Sequence, residues 1–284
     1  MAIRTTLRRS AALAAGTALL GGLMLAAPGT AAAAPVWAPA ATATIHPGIQ
    51  TETDGSGQCT ANFVFSDSAG NVYIGQAAHC SGTGAATDTN GCDAGTLPLG
   101  TKVTLVGSGV TGEIAYSSWN TMQGRGETNE DACAYNDLAL VKIPAGAVSK
   151  TNPSVPFWGG PTALDTNGTT SFETVLSYGN SSLRGGITQL SPKQGKSLGT
   201  EGNGWSHSVY TVSPGIPGDS GSAFLDSTGK ALGTLSTLAI APIAGSNGVG
   251  DLSHELAYAQ QYGGIAGLKL ELGTVAFRGP LLPI

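Results

Sequence analysis

The sequence predicts an all-β protein, and three observations carry that prediction. Glycine supplies 43 of the 284 residues while charged residues make up only 11%, a composition of many turns and few long helices. Short runs of alternating apolar residues recur along the chain, bounded by Gly, Asn, Ser or Pro clusters, the pattern of strands in barrels or sandwiches. Only Asp251 to Tyr262 has the apolar spacing of a helix. Asp251 or Ser253 can cap it, and Leu252, Leu256 and Ala259 roughly share a face.

Taken in order, the first segment is 1–34. Arg4, Arg8 and Arg9 precede an apolar stretch from Ala11 to Ala27, and small residues follow up to Ala34. This is the pattern of a secretory signal peptide cleaved after Ala34, the apolar stretch being short for a membrane anchor. Loss of three arginines leaves ten basic residues against eighteen acidic ones, a net charge of −8. Nucleic-acid binding leans on clustered Lys and Arg, and nothing here supplies them. No later stretch is long and apolar enough to span a bilayer. The expectation is an acidic, secreted monomer with no nucleic-acid partner and no membrane contact after signal cleavage.

Residues 35–55 are rich in Ala, Thr, Pro and Gly without periodicity, and read as a flexible lead or short propeptide. ANFVF, the turn SDSAGN and VYIGQAAHC then form a strand, a turn and a strand that delivers His79 at its end. TKVTLVG, GEIAYSS and DLALVKI are further strands, with loops at 81–98 and 120–134. The Pro-containing stretch 144–161 crosses to a second set: SFETVLSYG, GGITQLS, HSVYTV, GSAFLDSTG and KALGTLSTLAI, the last two joined by a hairpin turn at DSTGK. The tail 265–284 is expected to add an edge strand.

All four cysteines, Cys59, Cys80, Cys92 and Cys133, lie after the signal, and an even number in an exported chain points to two disulfides. Three connectivities are open. Cys59 with Cys80 is favoured, because it would tie the strand before His79 to the histidine turn; Cys92 with Cys133 would then brace the approach to Asp137. A metal site is disfavoured, with no CxxC and four histidines in all.

The chemistry lies in AAHC, NDLAL and GDSGS, which present His79, Asp137 and Ser220 in that order. A serine hydroxyl is a poor nucleophile and needs a base such as His79 in contact with it. A carboxylate, Asp137, would orient the imidazole and stabilise its cation. The backbone N–H groups of Gly218 and Ser220 would face the oxygen anion that forms on the attacked carbonyl. Each residue alone has an ordinary structural reading; the three motifs together point to acyl transfer.

GQAAHC, YNDLALVKI and GDSGSAF resemble the three signature stretches of the chymotrypsin-like (trypsin-like) serine proteases, with bacterial secreted members nearest, over roughly Cys59 to Tyr262. The resemblance implies two antiparallel six-stranded β-barrels, at about 56–143 and 162–284, with the active site in the cleft and a C-terminal helix. It also implies a protein or peptide substrate and no cofactor or metal. Asp219 is similar to the family residue that holds the oxyanion loop through an ion pair, with no partner evident from sequence. Pro214 stands where trypsin-like members carry an acid, which disfavours cleavage after Arg or Lys. Aligned on GTLSTL, Ser236 would hydrogen-bond Asp137, and Leu238 would narrow or close the pocket, favouring a small apolar residue before the scissile bond.

Departures are Ser222 in place of a second glycine, no cysteine beyond Cys133 to brace the nucleophile loop, and no IVGG-like mature terminus. They motivate an alternative, a catalytically silent protease-fold binding module. An esterase elbow would need glycine at 222 and a base after the serine. His46, His207 and His254 read as ordinary surface or barrel residues.

Overall fold

The computed structural model describes residues 1–2, 34–85, 87–238 and 244–281. The signal segment therefore lies almost wholly outside the described residues, as do 239–243 and the last three. The strands and helices all belong to the unit 32–284.

Its first half is a curled eight-stranded sheet in the order β14-β3-β4-β7-β6-β5-β1-β2. The strands are β1 (Gln50–Thr53), β2 (Gln58–Thr60), β3 (Val64–Ser66), β4 (Val72–Ala77), β5 (Lys102–Leu105), β6 (Val110–Ser117), β7 (Leu138–Ile143) and β14 (Lys269–Leu270). β4 is buried at all six positions because it lies between β3 and β7. The second half is a closed six-stranded barrel. It comprises β8 (Thr174–Tyr178), β9 (Pro192–Glu201), β10 (Ser206–Thr211), β11 (Ala223–Asp226), β12 (Ala231–Leu238) and β13 (Asn247–Asp251). The expected pair of barrels is thus one closed barrel and one curled sheet. One apolar cluster fills each: Ile74, Leu105 and Val141 in the sheet, Val209, Phe224 and Leu232 in the barrel. A third, with Phe63, Leu138, Trp158, Leu225 and Leu252, joins the two halves. Burial of such side chains contributes about 1.5–3 kcal/mol each.

Helix α3 (Leu252–Tyr262) comes directly after β13, and Asp251 caps it by accepting the His254 N–H at 2.9 Å. The tail does add an edge strand, β14 on β3.

Three expectations are corrected. The stretch 35–55 is not a flexible lead: Ile45 and Ile49 are buried in the sheet core, the Ile45 N–H bonds Lys150 O, and β1 pairs with both β2 and β5. The two buried isoleucines, together with this pairing, anchor a segment whose composition looks unstructured. Residues 120–134 are not a simple loop. They contain most of α1 (Ser118–Arg125), which buries Trp119 and Met122, and α2 (Glu130–Tyr135), capped by Asn129. Finally, GGITQLS is no strand: it holds a tight 3₁₀ turn, Thr188–Leu190, that follows another at Ser182–Arg184, and the strand begins only at Pro192.

Candidate active site

β4 ends at Ala77 and passes into a 3₁₀ turn, Ala78–Ser81, that carries His79. Asp137 sits between α2 and β7, its side chain 4% exposed. The backbone holds the two residues together, the Ala78 N–H bonding Asp137 O at 2.8 Å and the His79 N–H bonding Asp137 Oδ1 at 2.8 Å. The side chains meet at 2.6 Å, His79 Nδ1 to Asp137 Oδ2. An ionised carboxylate only accepts, so Nδ1 carries the hydrogen and the neutral ring keeps its lone pair on Nε2. Ser236 Oγ donates to the same Oδ2 at 2.6 Å, as expected from the resemblance.

Burial would lower the His79 pKa; the charge and hydrogen bond of Asp137 outweigh it, and the pKa ends above the ordinary 6.5. Behind Asp137 stands Glu255 of α3, a wholly buried carboxyl. Its Oε1 accepts the Asp137 N–H at 3.0 Å and its Oε2 accepts the Thr234 hydroxyl at 2.9 Å. Burial, then the neighbouring charge of Asp137, pushes the Glu255 pKa well above the usual carboxylate range.

Ser220 lies in the tight turn before β11 and lines the same cleft as His79. Main-chain bonds fix the turn, among them Thr60 N–H to Ser220 O, Gly221 N–H to Leu235 O, and Ser222 N–H to Asp219 O. Gly218 and Gly221 have φ of +92° and +86°, and a Cβ on either would collide, with Gln58 Oε1 and with Thr60 O respectively. Glycine is required at both. Ser222 packs in a buried spot, and its hydroxyl has no hydrogen-bond partner among the described residues.

The partner that the sequence did not reveal for Asp219 is a pair of cations. Arg184 Nη2 lies 2.6 Å and Lys193 Nζ 3.1 Å from Asp219 Oδ2, with all three side chains at most 9% exposed. The Ser181 and Ile216 N–H groups donate to the same carboxylate. Burial first, then the adjacent Arg184 charge, lowers the Lys193 pKa against the pull of Asp219.

The cleft has a volume of about 640 Å³, with Gly215, Ile216, Pro217 and Leu235 on one wall and Trp119 among its other lining residues. Pro214 stands just outside the Gly215–Gly218 wall, its carbonyl accepting from Arg184 at 2.9 Å and Lys193 at 3.4 Å. Leu238 borders the cleft but is 54% exposed. Sequence reading missed Asn247, which is 1% exposed. Its Oδ1 accepts the Gly215 N–H at 2.8 Å and its Nδ2 donates to Thr237 O at 3.2 Å, bracing one pocket wall against another.

Disulfides join Cys59 to Cys80 and Cys92 to Cys133. The first lies against the site: a His79 ring nitrogen and its two sulfurs are all within 4.8 Å of one another. Those sulfurs are bonded to each other, so they offer no thiolate to a metal.

No family model matches the sequence, and no curated protein matches it. Among solved structures, the chain is similar to protease A of Thermobifida fusca at 15% identity and a TM-score of 0.49, over 81% of this chain and 99% of that one. It is similar to Nocardiopsis protease at 16% identity and 0.47, over 80% and 98%. It is also similar to Cellulomonas bogoriensis chymotrypsin at 17% identity and 0.48, over 80% and 98%.

Proposed function

We propose that the protein is a secreted serine endopeptidase that works through an acyl-enzyme. The observation that carries the reading is the hydrogen-bonded set of His79, Asp137 and Ser236, facing a cleft that Ser220 also lines. In the proposed reaction, Ser220 Oγ attacks the scissile carbonyl carbon while His79 Nε2 takes the hydroxyl proton. Asp137 stabilises the imidazolium. The carbonyl π electrons move onto oxygen, which accepts hydrogen bonds from the N–H groups of Gly218 and Ser220; loss of one such donor typically costs about 10²–10³ in rate. Collapse of this adduct breaks the C–N bond, and His79 returns its proton to the departing amine. Water then repeats the sequence on the ester and regenerates Ser220. No step calls for a cofactor.

Pro214 stands where the preference for basic residues would need an acid, and Asp219 is already paired with Arg184 and Lys193. This supports a substrate with an uncharged residue before the cleaved bond. Two disulfides, together with the basic, apolar and small-residue order of 1–34, support export.

The test is covalent labelling of the mature protein by a fluorophosphonate probe, with Ser220→Ala as control. Labelling that vanishes in the variant is the expected result. A folded, disulfide-intact protein that takes no label would overturn the reading in favour of a binding module on the same fold.

A further inference from the structure

The peptide that joins Pro217 to Gly218 carries one of the two N–H groups offered to the substrate oxygen. It is trans, since Gly160–Pro161 is the only cis bond among the described residues. In a trans peptide the C=O and N–H point in opposite directions. Whatever holds the Pro217 carbonyl therefore aims the Gly218 N–H.

That carbonyl is held by a side chain 36 residues earlier. Ser181 Oγ donates to Pro217 O at 2.6 Å, and Ser181 itself is 3% exposed. The hydroxyl has little freedom to turn elsewhere. Its oxygen accepts the Leu183 N–H at 3.2 Å, and the Ser181 N–H donates to Asp219 Oδ1 at 2.9 Å. The turn that Ser181 caps, Ser182–Arg184, delivers Arg184 to Asp219 Oδ2. On the next peptide, the Gly218 carbonyl accepts Thr60 Oγ1 at 2.8 Å and Gln58 Nε2 at 3.0 Å. Both carbonyls are thus tied to the protein, and Pro217 and Gly218 border the cleft.

Such holding is needed. Gly218, at φ +92°, belongs to the residue type with the fewest backbone restrictions, so its own sterics do little to prevent a peptide flip. A flip would put a carbonyl dipole where the anion forms and convert a donor into a repulsive acceptor.

We infer that Ser181 is a positioning residue for the Gly218 N–H, acting through the carbonyl of Pro217, an inference that rests on the peptidase reading. Ser181 never touches substrate. It sets the direction of a dipole that does, and its effect falls on the tetrahedral adduct rather than on the bound peptide.

The experiment compares wild type, Ser181→Ala and Ser181→Thr by kinetics on a library-selected peptide, by affinity for a peptidyl boronic acid, and by crystallography of the 217–218 peptide. The expected result for Ser181→Ala is a kcat lower by about 10–100-fold with KM within about twofold. Boronate affinity falls in parallel, and the Pro217 carbonyl turns into the cleft. Ser181→Thr keeps the hydroxyl and recovers activity. Wild-type kcat in Ser181→Ala, or an unturned peptide in its crystal structure, overturns the inference. A wild-type protein without peptidase activity sinks the functional reading alone; the crystal structure still decides whether Ser181 sets the peptide. Should Ser181→Ala not fold, Ser181→Cys, a weak donor, takes its place with the same outcomes.

Discussion

Glu255 Oε1 accepts the backbone N–H of Asp137 at 3.0 Å, so a helix beyond the second barrel holds, from behind, the carboxylate that orients His79. Among the described residues no cation pairs with Glu255; its neighbours are a backbone N–H, the Thr234 hydroxyl and the charge of Asp137. Burial and the charge of Asp137 both favour the neutral form of this carboxyl.

Glu255 keeps its proton in the folded state at pH values where the unfolded chain has lost it, so stability falls as pH rises from about 4.5 towards the raised folded value. Glu255→Gln removes that loss. It should raise the Tm by about 3 °C at pH 8 and leave it unchanged at pH 4. Thermal unfolding at the two pH values is the check, and an equal change at both would contradict the neutral-acid state.

His79 acts as a base only when neutral. Because Asp137 holds its pKa above 6.5, kcat/KM should rise with pH and reach half its plateau above that value. Asp137→Asn removes the charge that raises it and should lower kcat by about 10⁴-fold. A pH–rate profile in a three-buffer system reads both.

The Arg184–Asp219 pair is buried, so removing Arg184 leaves the Asp219 carboxylate with one cation where it had two. Arg184→Met should cost about 3 kcal/mol of stability by chemical denaturation and slow fluorophosphonate labelling. Lys193 remains to hold Asp219 Oδ2. Labelling should therefore be slowed rather than abolished, and should be lost when both cations are replaced.

Cleavage after Arg or Lys should be poorer than after an uncharged residue by about 10²-fold, the cost of leaving a desolvated cation unpaired. Mass-spectrometric profiling of cleavage sites in a peptide library reads the ratio directly. Efficient cleavage after Arg would contradict the reading of Pro214 as the neutral replacement of that acid and would point to Asp88, which also lines the cleft.

The parts legible in the sequence are those with local signals. The motifs around His79, Asp137 and Ser220 are contiguous, and Asp251 announces α3 with a cap and an apolar face. β9 is hidden because Lys193 and Lys196 read as surface residues, although Lys193 is buried to meet Asp219. β13, NGVGD, reads as a turn; Gly250 is there because a Cβ would collide with Glu255. The Arg184–Asp219 and Ser181–Pro217 contacts each span more than thirty residues, and no spacing rule reaches that far. Ile45 and Ile49 are isolated apolar letters whose burial depends on a sheet formed by later strands.

One consequence concerns where this chain can tolerate change. β2 is three residues long and contains none of the three reactive groups. Gln58 and Thr60 both reach Gly218 O, Thr60 also bonds the carbonyl of Ser220, and Cys59 between them is fastened to the histidine turn through Cys80. Side chains in a strand alternate, so an inserted or deleted residue here would send the cysteine towards the glycine and the hydrogen-bonding pair towards the sulfur. The message is written in reading frame, and a single-letter slip in Gln58–Thr60 garbles base and nucleophile loop together.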